Sequence, residues 1–143
     1  PALRMLAREL GVGEVVTFPG RLDRDAVAAL YRDADVAINP STVDNMPNSL
    51  LEALASGVPI VSTNVGGVPY VVQDRTTALL VPPRDPVAMA NATLCLLENP
   101  AEVARLTTAG LEMVRRYTWK EISQVLDDVY LRASAQCRVA QSF

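Results

Sequence analysis

Four apolar runs constrain this chain most: Val15 to Phe18, Val36 to Asn39, Pro59 to Thr63, and Ala78 to Val81. Each is rich in Val, Ile, Leu or Phe and is bounded by Gly, Pro, Asp or Asn. Such unalternating runs belong to strands covered on both faces. Helical patterns lie between them. Ala2 to Leu10 stops at Gly11, a natural helix end. Asp25 to Arg32 places Val27, Leu30 and Tyr31 on one helix face. Asn48 to Ser56 follows Pro47, a favoured first-turn residue, and stops at Gly57. Strands alternating with helices predict an α/β fold: a partial Rossmann-like parallel sheet of about four strands, with right-handed crossovers.

After Val81 the pattern changes. Pro82 and Pro83 break the chain, and Asp85-Pro86 starts a helix over Val87 to Leu97. Pro100 opens a second helix that reaches about Arg116. Trp119 to Leu131 makes a third, with Ile122, Val125, Leu126, Val129 and Tyr130 on one stripe. Thr118 is its expected N-cap, and Trp119 the expected core anchor of this helical tail. The expected organisation is one domain, or part of one. Residues 1–84 form the α/β portion, 85–133 the helical tail and 134–143 a frayed end.

Composition removes several functions. With 13 basic and 16 acidic residues the net charge is −3, so nucleic acid is a poor partner. No apolar run is long enough to span a bilayer. Histidine is absent, which removes the commonest general base, the Ser/His/Asp triad and most zinc sites. Cys95 falls on the apolar side of a predicted helix and Cys137 in the polar tail, so two free thiols in a reducing cytoplasm are expected. Asp33-Ala34-Asp35 has the look of a metal site. These residues end a helix and enter a strand, so Asp33 is expected exposed, Asp35 a turn residue, and no metal is assigned.

Chemistry concentrates between Asp44 and Tyr70. Asp44 stands at the mouth of a helix, and Glu52 lies eight residues on, inside it. Helix N-termini attract phosphate, and a carboxylate accepts hydrogen bonds from sugar hydroxyls. A nucleotide-sugar would use both. Glu52 stands among Leu50, Leu51, Ala53, Leu54 and Ala55, where a lone carboxylate calls for a partner rather than open water. The turn Asn64-Val65-Gly66-Gly67 follows a strand directly. Its glycines permit close approach of a ligand to the backbone, or only a tight turn. Gly20-Arg21-Leu22 also follows a predicted strand end, and Arg21 is either a phosphate or base contact or a solvated arginine.

The elements VVTFPGRL, ADVAINPS, DNMPNSLLEALASGVPIVSTNVGGVPYVV, ALLVPPRDPVAMA and YTWKEI, in this order, resemble the C-terminal half of a group 1 glycosyltransferase. This is the retaining family of GT-B fold. The resemblance implies a C-terminal donor domain lacking its first strands, hence an incomplete sheet with an exposed edge or apolar face. It implies transfer of a sugar from a nucleoside diphosphate to an acceptor hydroxyl, with no metal and no cofactor besides the donor substrate. The family signature is a Glu, seven residues, then a second Glu. The second matches Glu52, which would bind ribose hydroxyls. The first matches Asp44, one methylene shorter, which would face the donor sugar. Backbone amides around Asn45, Met46, Pro47, Asn48, Ser49 and Leu50 would meet sugar hydroxyls and phosphate. Gly20, Arg21 and Leu22 would line the base, and Asn64, Gly66 and Gly67 would lie near the site. Tyr70 replaces a family Glu, and Arg75 and Ala78 replace family glycines. The acceptor would bind an N-terminal domain absent from this chain, so the isolated chain is expected to be inactive. Peripheral association of the whole protein with the inner face of a membrane is compatible with the resemblance.

Two other readings are a non-catalytic nucleotide-sugar binding module and a flavodoxin-like signalling domain. The second would need clustered acids and a lysine at strand ends, and Lys120 is the only lysine.

Overall fold

The computed structural model describes the backbone of residues 2–140 and the side chains as far as residue 134. Two compact units divide the chain at Leu30 and Tyr31.

The first unit holds α1 (Ala2–Glu9) and most of α2 (Arg24–Asp33). Gly11, at φ +71, ends α1. Its N–H donates to Arg8 O at 3.0 Å while Val12 N–H donates to Ala7 O at 2.9 Å, the paired bonds of a Schellman motif. The Arg4 guanidinium lies 5.3 Å from the centre of the Phe18 ring. The expected strand from Val15 to Phe18 does not form. The N–H groups of Val15 and Val16 turn back onto Val12 O, at 3.1 and 3.2 Å, so they are spent on a turn instead of a ladder.

The second unit carries the sheet. It has three strands, not four: β1 (Ala37–Asn39), β2 (Ile60–Thr63) and β3 (Leu79–Val81), parallel and in the order β1-β2-β3. Ala37 pairs with Ile60 and Val61 with Leu79, which sorts the side chains onto two faces. Ala37, Ile60 and Leu80 meet α3 (Asn48–Ala55) and α4 (Val68–Val71) through Leu50, Ala53, Leu54, Val68 and Val71. Val61, Leu79 and Val81 meet Leu96 of α5 (Pro86–Glu98) and Leu106 of α6 (Pro100–Val114). All four residues of β2 are buried, including Ser62 and Thr63, because both faces of the strand are covered. β1 is an edge, and its Ile38 is 50% exposed, as expected for a sheet lacking strands.

Asp85 caps α5 where the sequence puts it, and Asn99 caps α6. Asp85 Oδ1 accepts from Ala88 N–H at 2.9 Å and Asn99 Oδ1 from Glu102 N–H at 3.1 Å. After a short 3-10 turn, Arg115–Tyr117, the last helix α7 runs Trp119–Ala140, nine residues past the expected end at Leu131. Thr118, in extended backbone just before it, accepts from Ile122 N–H at its main-chain carbonyl at 3.0 Å, and its hydroxyl makes no bond among the described residues. The expected frayed end falls partly on residues 141–143, outside those described, and the Cys137 side chain is also outside them. Two expectations fail here. Trp119 is 75% exposed, not a core anchor, because it opens α7 on a face that no described residue covers. Cys95 is exposed as well: α5 buries only Leu96 fully, and Cys95 sits a hundred degrees round the helix from it.

Candidate functional site

The site begins where β1 ends. Asn39, on the α3 side of the sheet, accepts at its Oδ1 from the Ser41 hydroxyl at 2.7 Å and from Ser41 N–H at 3.3 Å. Its Nδ2 faces Asp44 Oδ2 at 3.5 Å, a long contact that leaves the half-buried carboxylate turned toward Asn39. Beside it, the buried Thr63 at the end of β2 donates its hydroxyl to Ser41 O. Residues 40–47 therefore form a loop tied to the carboxyl ends of both strands, the end of a parallel sheet where ligands bind.

The glycine turn lies directly against this loop. Gly67 N–H donates to Asp44 O at 2.9 Å. A Cβ on Gly66 would collide with the Asp44 carbonyl, and one on Gly67 would fall inside the Asn45 carbonyl. Gly66 also stands at φ +49. The space that the missing side chains leave is filled by the chain's own backbone. Neither a ligand's approach nor turn geometry alone accounts for both glycines. Asn64, exposed at the start of the turn, donates its N–H to Val81 O at 2.8 Å. The chain then enters α4, a short helix that the sequence pattern did not announce.

α3 follows the loop. Pro47 is its N-cap, one position before the expected first turn, and no side chain caps the helix. Not every expected amide is available. Pro47 has no N–H, and Leu50 N–H donates to Pro47 O at 3.1 Å, with the Leu50 side chain in the core. Among the described residues, the N–H groups of Asn45, Met46, Asn48 and Ser49 find no acceptor. Glu52 lies one turn further along, exposed to solvent, which corrects the expectation that it avoids water. The expected partner is nevertheless present: the Tyr31 hydroxyl lies 3.4 Å from Glu52 Oε2 and 3.0 Å from Ser49 O. Burial, then the Glu52 charge and this hydrogen bond, hold the Tyr31 hydroxyl above its ordinary pKa of 10.0.

Asp44, Asn45, Met46, Asn48, Ser49 and Glu52 thus share one loop and helix, with Asn64, Gly66 and Gly67 on the adjoining turn. Gly20, Arg21 and Leu22 belong to the first unit, where Gly20 stands at φ +73 and Arg21 is exposed. Sequence reasoning missed Asn39 and Tyr31. Each carries a signal: a polar residue inside an apolar strand run, and a phenol on an apolar helix face, both of which need partners. Asp33 and Asp35 are exposed, and among the described residues no group of three His, Cys, Asp or Glu is placed to hold a metal ion. A mainly apolar cleft of about 550 Å³ adjoins this loop, between Ile38, Pro40, Thr42 and Thr63 and the α5 residues Met89 and Leu94.

Residues 1–99 match the family model described as glycosyl transferases group 1. The chain belongs to that family. Among this family's curated members, D-inositol 3-phosphate glycosyltransferase 2 of Catenulispora acidiphila is 35% identical over 136 residues, covering 95% of this chain and 32% of that protein. The D-inositol 3-phosphate glycosyltransferase of Saccharomonospora viridis is 36% identical, over 96% of this chain and again 32% of the relative. The group 1 chain therefore spans about a third of the length of these relatives. Among solved structures, sucrose-phosphate synthase from Thermosynechococcus elongatus superposes with a TM-score of 0.86 at 33% identity, over 94% of this chain and 34% of the other. Anabaena HepE in complex with UDP gives a TM-score of 0.84 at 22% identity, over 92% and 36%, a likeness of fold alone. The architecture is that of the C-terminal domain of a GT-B glycosyltransferase.

Proposed function

We propose that this chain is the donor-binding half of a retaining glycosyltransferase, which moves a sugar from a nucleoside diphosphate to an acceptor hydroxyl. The observation that carries the reading is the loop from Asp44 to Ser49. It holds the half-buried Asp44 carboxylate, four unengaged N–H groups and, one helical turn on, the Glu52 carboxylate at the carboxyl end of a parallel sheet. In this reading Glu52 accepts from the ribose hydroxyls and Asp44 faces the donor sugar. The amides of Met46, Asn48 and Ser49 meet sugar hydroxyls and diphosphate, aided by the positive end of α3. Gly20, Arg21 and Leu22 take the base, by the family resemblance. Catalysis then comes from positioning and from dipoles aimed at the departing diphosphate, with no metal required. The acceptor binds residues outside this chain, and the setting is the cytoplasm.

A non-catalytic donor-binding module is the second reading. It is favoured by the shorter carboxylate of Asp44, drawn toward Asn39, and by Tyr70, 82% exposed at the position of a family Glu. One experiment addresses both readings. The full-length protein is titrated with UDP-, GDP- and ADP-sugars and assayed for transfer, alongside Glu52→Ala and Asp44→Ala. Saturable binding of one donor, lost in Glu52→Ala, together with transfer lost in Asp44→Ala, is the expected result. Binding without transfer leaves the module, and a folded protein that binds none of the donors refutes both.

A further inference from the structure

Tyr31 is the feature of the second unit that the proposed function leaves unused. It occupies the last turn of α2, eighteen residues before Ser49 in sequence, with its ring packed against the core beneath α3. Only its hydroxyl reaches the rim, and there it meets two oxygens of α3: Ser49 O at 3.0 Å and Glu52 Oε2 at 3.4 Å. A phenol has one proton, so the two acceptors share it. Glu52 has no other hydrogen-bond donor among the described side chains. An exposed glutamate otherwise samples several rotamers about three torsions, and each costs entropy to fix when a ligand arrives. A fixed donor on a ring held by the core removes part of that cost. Because the same hydroxyl also holds Ser49 O, the carboxylate is set relative to the first turn of α3, the turn that presents the unengaged amides.

We propose that Tyr31 is a positioning residue for Glu52: it aims the carboxylate so that the site selects ribose over deoxyribose in the donor. The inference rests on the proposed function, since it takes Glu52 as the ribose acceptor. It adds that the selectivity resides in a pair of residues from two helices, not in the glutamate alone. A ribose hydroxyl bonded to a pre-aimed carboxylate gives about a tenfold preference over the analogue that lacks it.

The test uses the full-length protein and calorimetric titration with UDP, GDP and ADP, each beside its 2′-deoxy and 3′-deoxy analogue. The quantity read is the ratio of ribo to deoxy affinity for the nucleotide that binds. Wild type is expected to prefer ribose. Glu52→Gln should abolish the preference, and Tyr31→Phe should reduce it most of the way toward that value, at a binding stoichiometry like that of wild type. A merely structural Tyr31 would weaken ribo and deoxy ligands alike and leave the ratio unchanged, which would overturn the proposal. If Glu52→Gln itself leaves the ratio intact, the ribose assignment of Glu52 fails, and the proposal fails with it. Should Tyr31→Phe not fold, 3,5-difluorotyrosine at position 31 keeps the ring and makes the hydroxyl more acidic. The ratio should then fall as pH rises through the pKa of that phenol, while wild type stays level; a level ratio in the substituted protein overturns the proposal.

Discussion

Replacing Gly67 by alanine tests whether the paired glycines exist to seat the donor loop. Gly67 has φ −83 and ψ −7, ordinary right-handed backbone that alanine adopts freely. The cost is therefore steric. The added Cβ would fall inside the Asn45 carbonyl, a backbone group with no rotamer to escape into. The loop must lift, and the 2.9 Å bond from Gly67 N–H to Asp44 O breaks with it. Forced displacement in a packed site costs about 1–3 kcal/mol and the lost bond about 1 kcal/mol, so about 2–4 kcal/mol together. In a unit of this size that lowers the unfolding temperature by roughly 6–12 °C.

Gly57→Ala is the contrast. Gly57 stands at φ +70, but its nearest neighbour, Leu111 Cδ1, would lie 3.8 Å from the added carbon. It carries backbone strain only, about 1–2 kcal/mol, and sits at the far end of α3 from the loop. Both variants are to be followed by thermal unfolding and by donor titration in the full-length protein. Gly67→Ala should weaken nucleotide-sugar binding about tenfold or more, because Asp44, Asn45 and Met46 ride on the displaced loop. Gly57→Ala should leave affinity unchanged. A Gly67→Ala protein that melts at the wild-type temperature refutes the packing argument. One that is destabilised yet binds donor normally removes the loop from the site.

Two further outcomes follow from single contacts. Asp85→Ala removes the bond from Ala88 N–H and should destabilise the second unit by about 0.5–2 kcal/mol, with Asp85→Asn close to wild type, read by urea unfolding. The raised pKa of Tyr31 means that the folded chain holds that proton more tightly than the unfolded chain. Stability from this group is intact below pH 10.0 and declines as pH rises through the folded value, so Tyr31→Phe should show a shallower alkaline loss above pH 10.0. Parallel slopes for variant and wild type would contradict that.

What the sequence makes legible follows from which forces are local. The parallel strands at β1, β2 and β3 are visible because each is a short run rich in Val, Ile or Leu, most fully buried at β2. The start of α5 is visible because Asp85 bonds within three residues of itself, and that of α6 because Pro100 stands in its first turn. Val15 to Phe18 has the composition of a strand, but composition supplies no partner, and the N–H groups of Val15 and Val16 settle on Val12. The stripe of α7 and Trp119 have the periodicity of a covered face, but periodicity does not say that a cover is present. The site divides the same way. Asp44, Glu52 and the loop between them stand out as charge among apolar residues. Asn39 and Tyr31, which act across five and twenty-one residues, do not.

The glycine pair shows how far a local reading of this site can go. Adjacent glycines after a parallel strand admit a ligand or a turn, and their place at the strand end favours the ligand. A third possibility, that another loop of the same chain lies on the bare backbone, is invisible until Asp44 and Asn45 are seen against Gly66 and Gly67. That contact joins segments twenty-two residues apart into one support. Asn39 faces the Asp44 carboxylate from the end of β1, and Gly67 holds the Asp44 carbonyl from the turn after β2. Two neighbouring strands thereby hold one acidic residue by both its side chain and its main chain. A residue held so can present a shorter carboxylate without losing its direction, so loosening either hold should matter more to donor binding than the methylene that separates Asp from Glu.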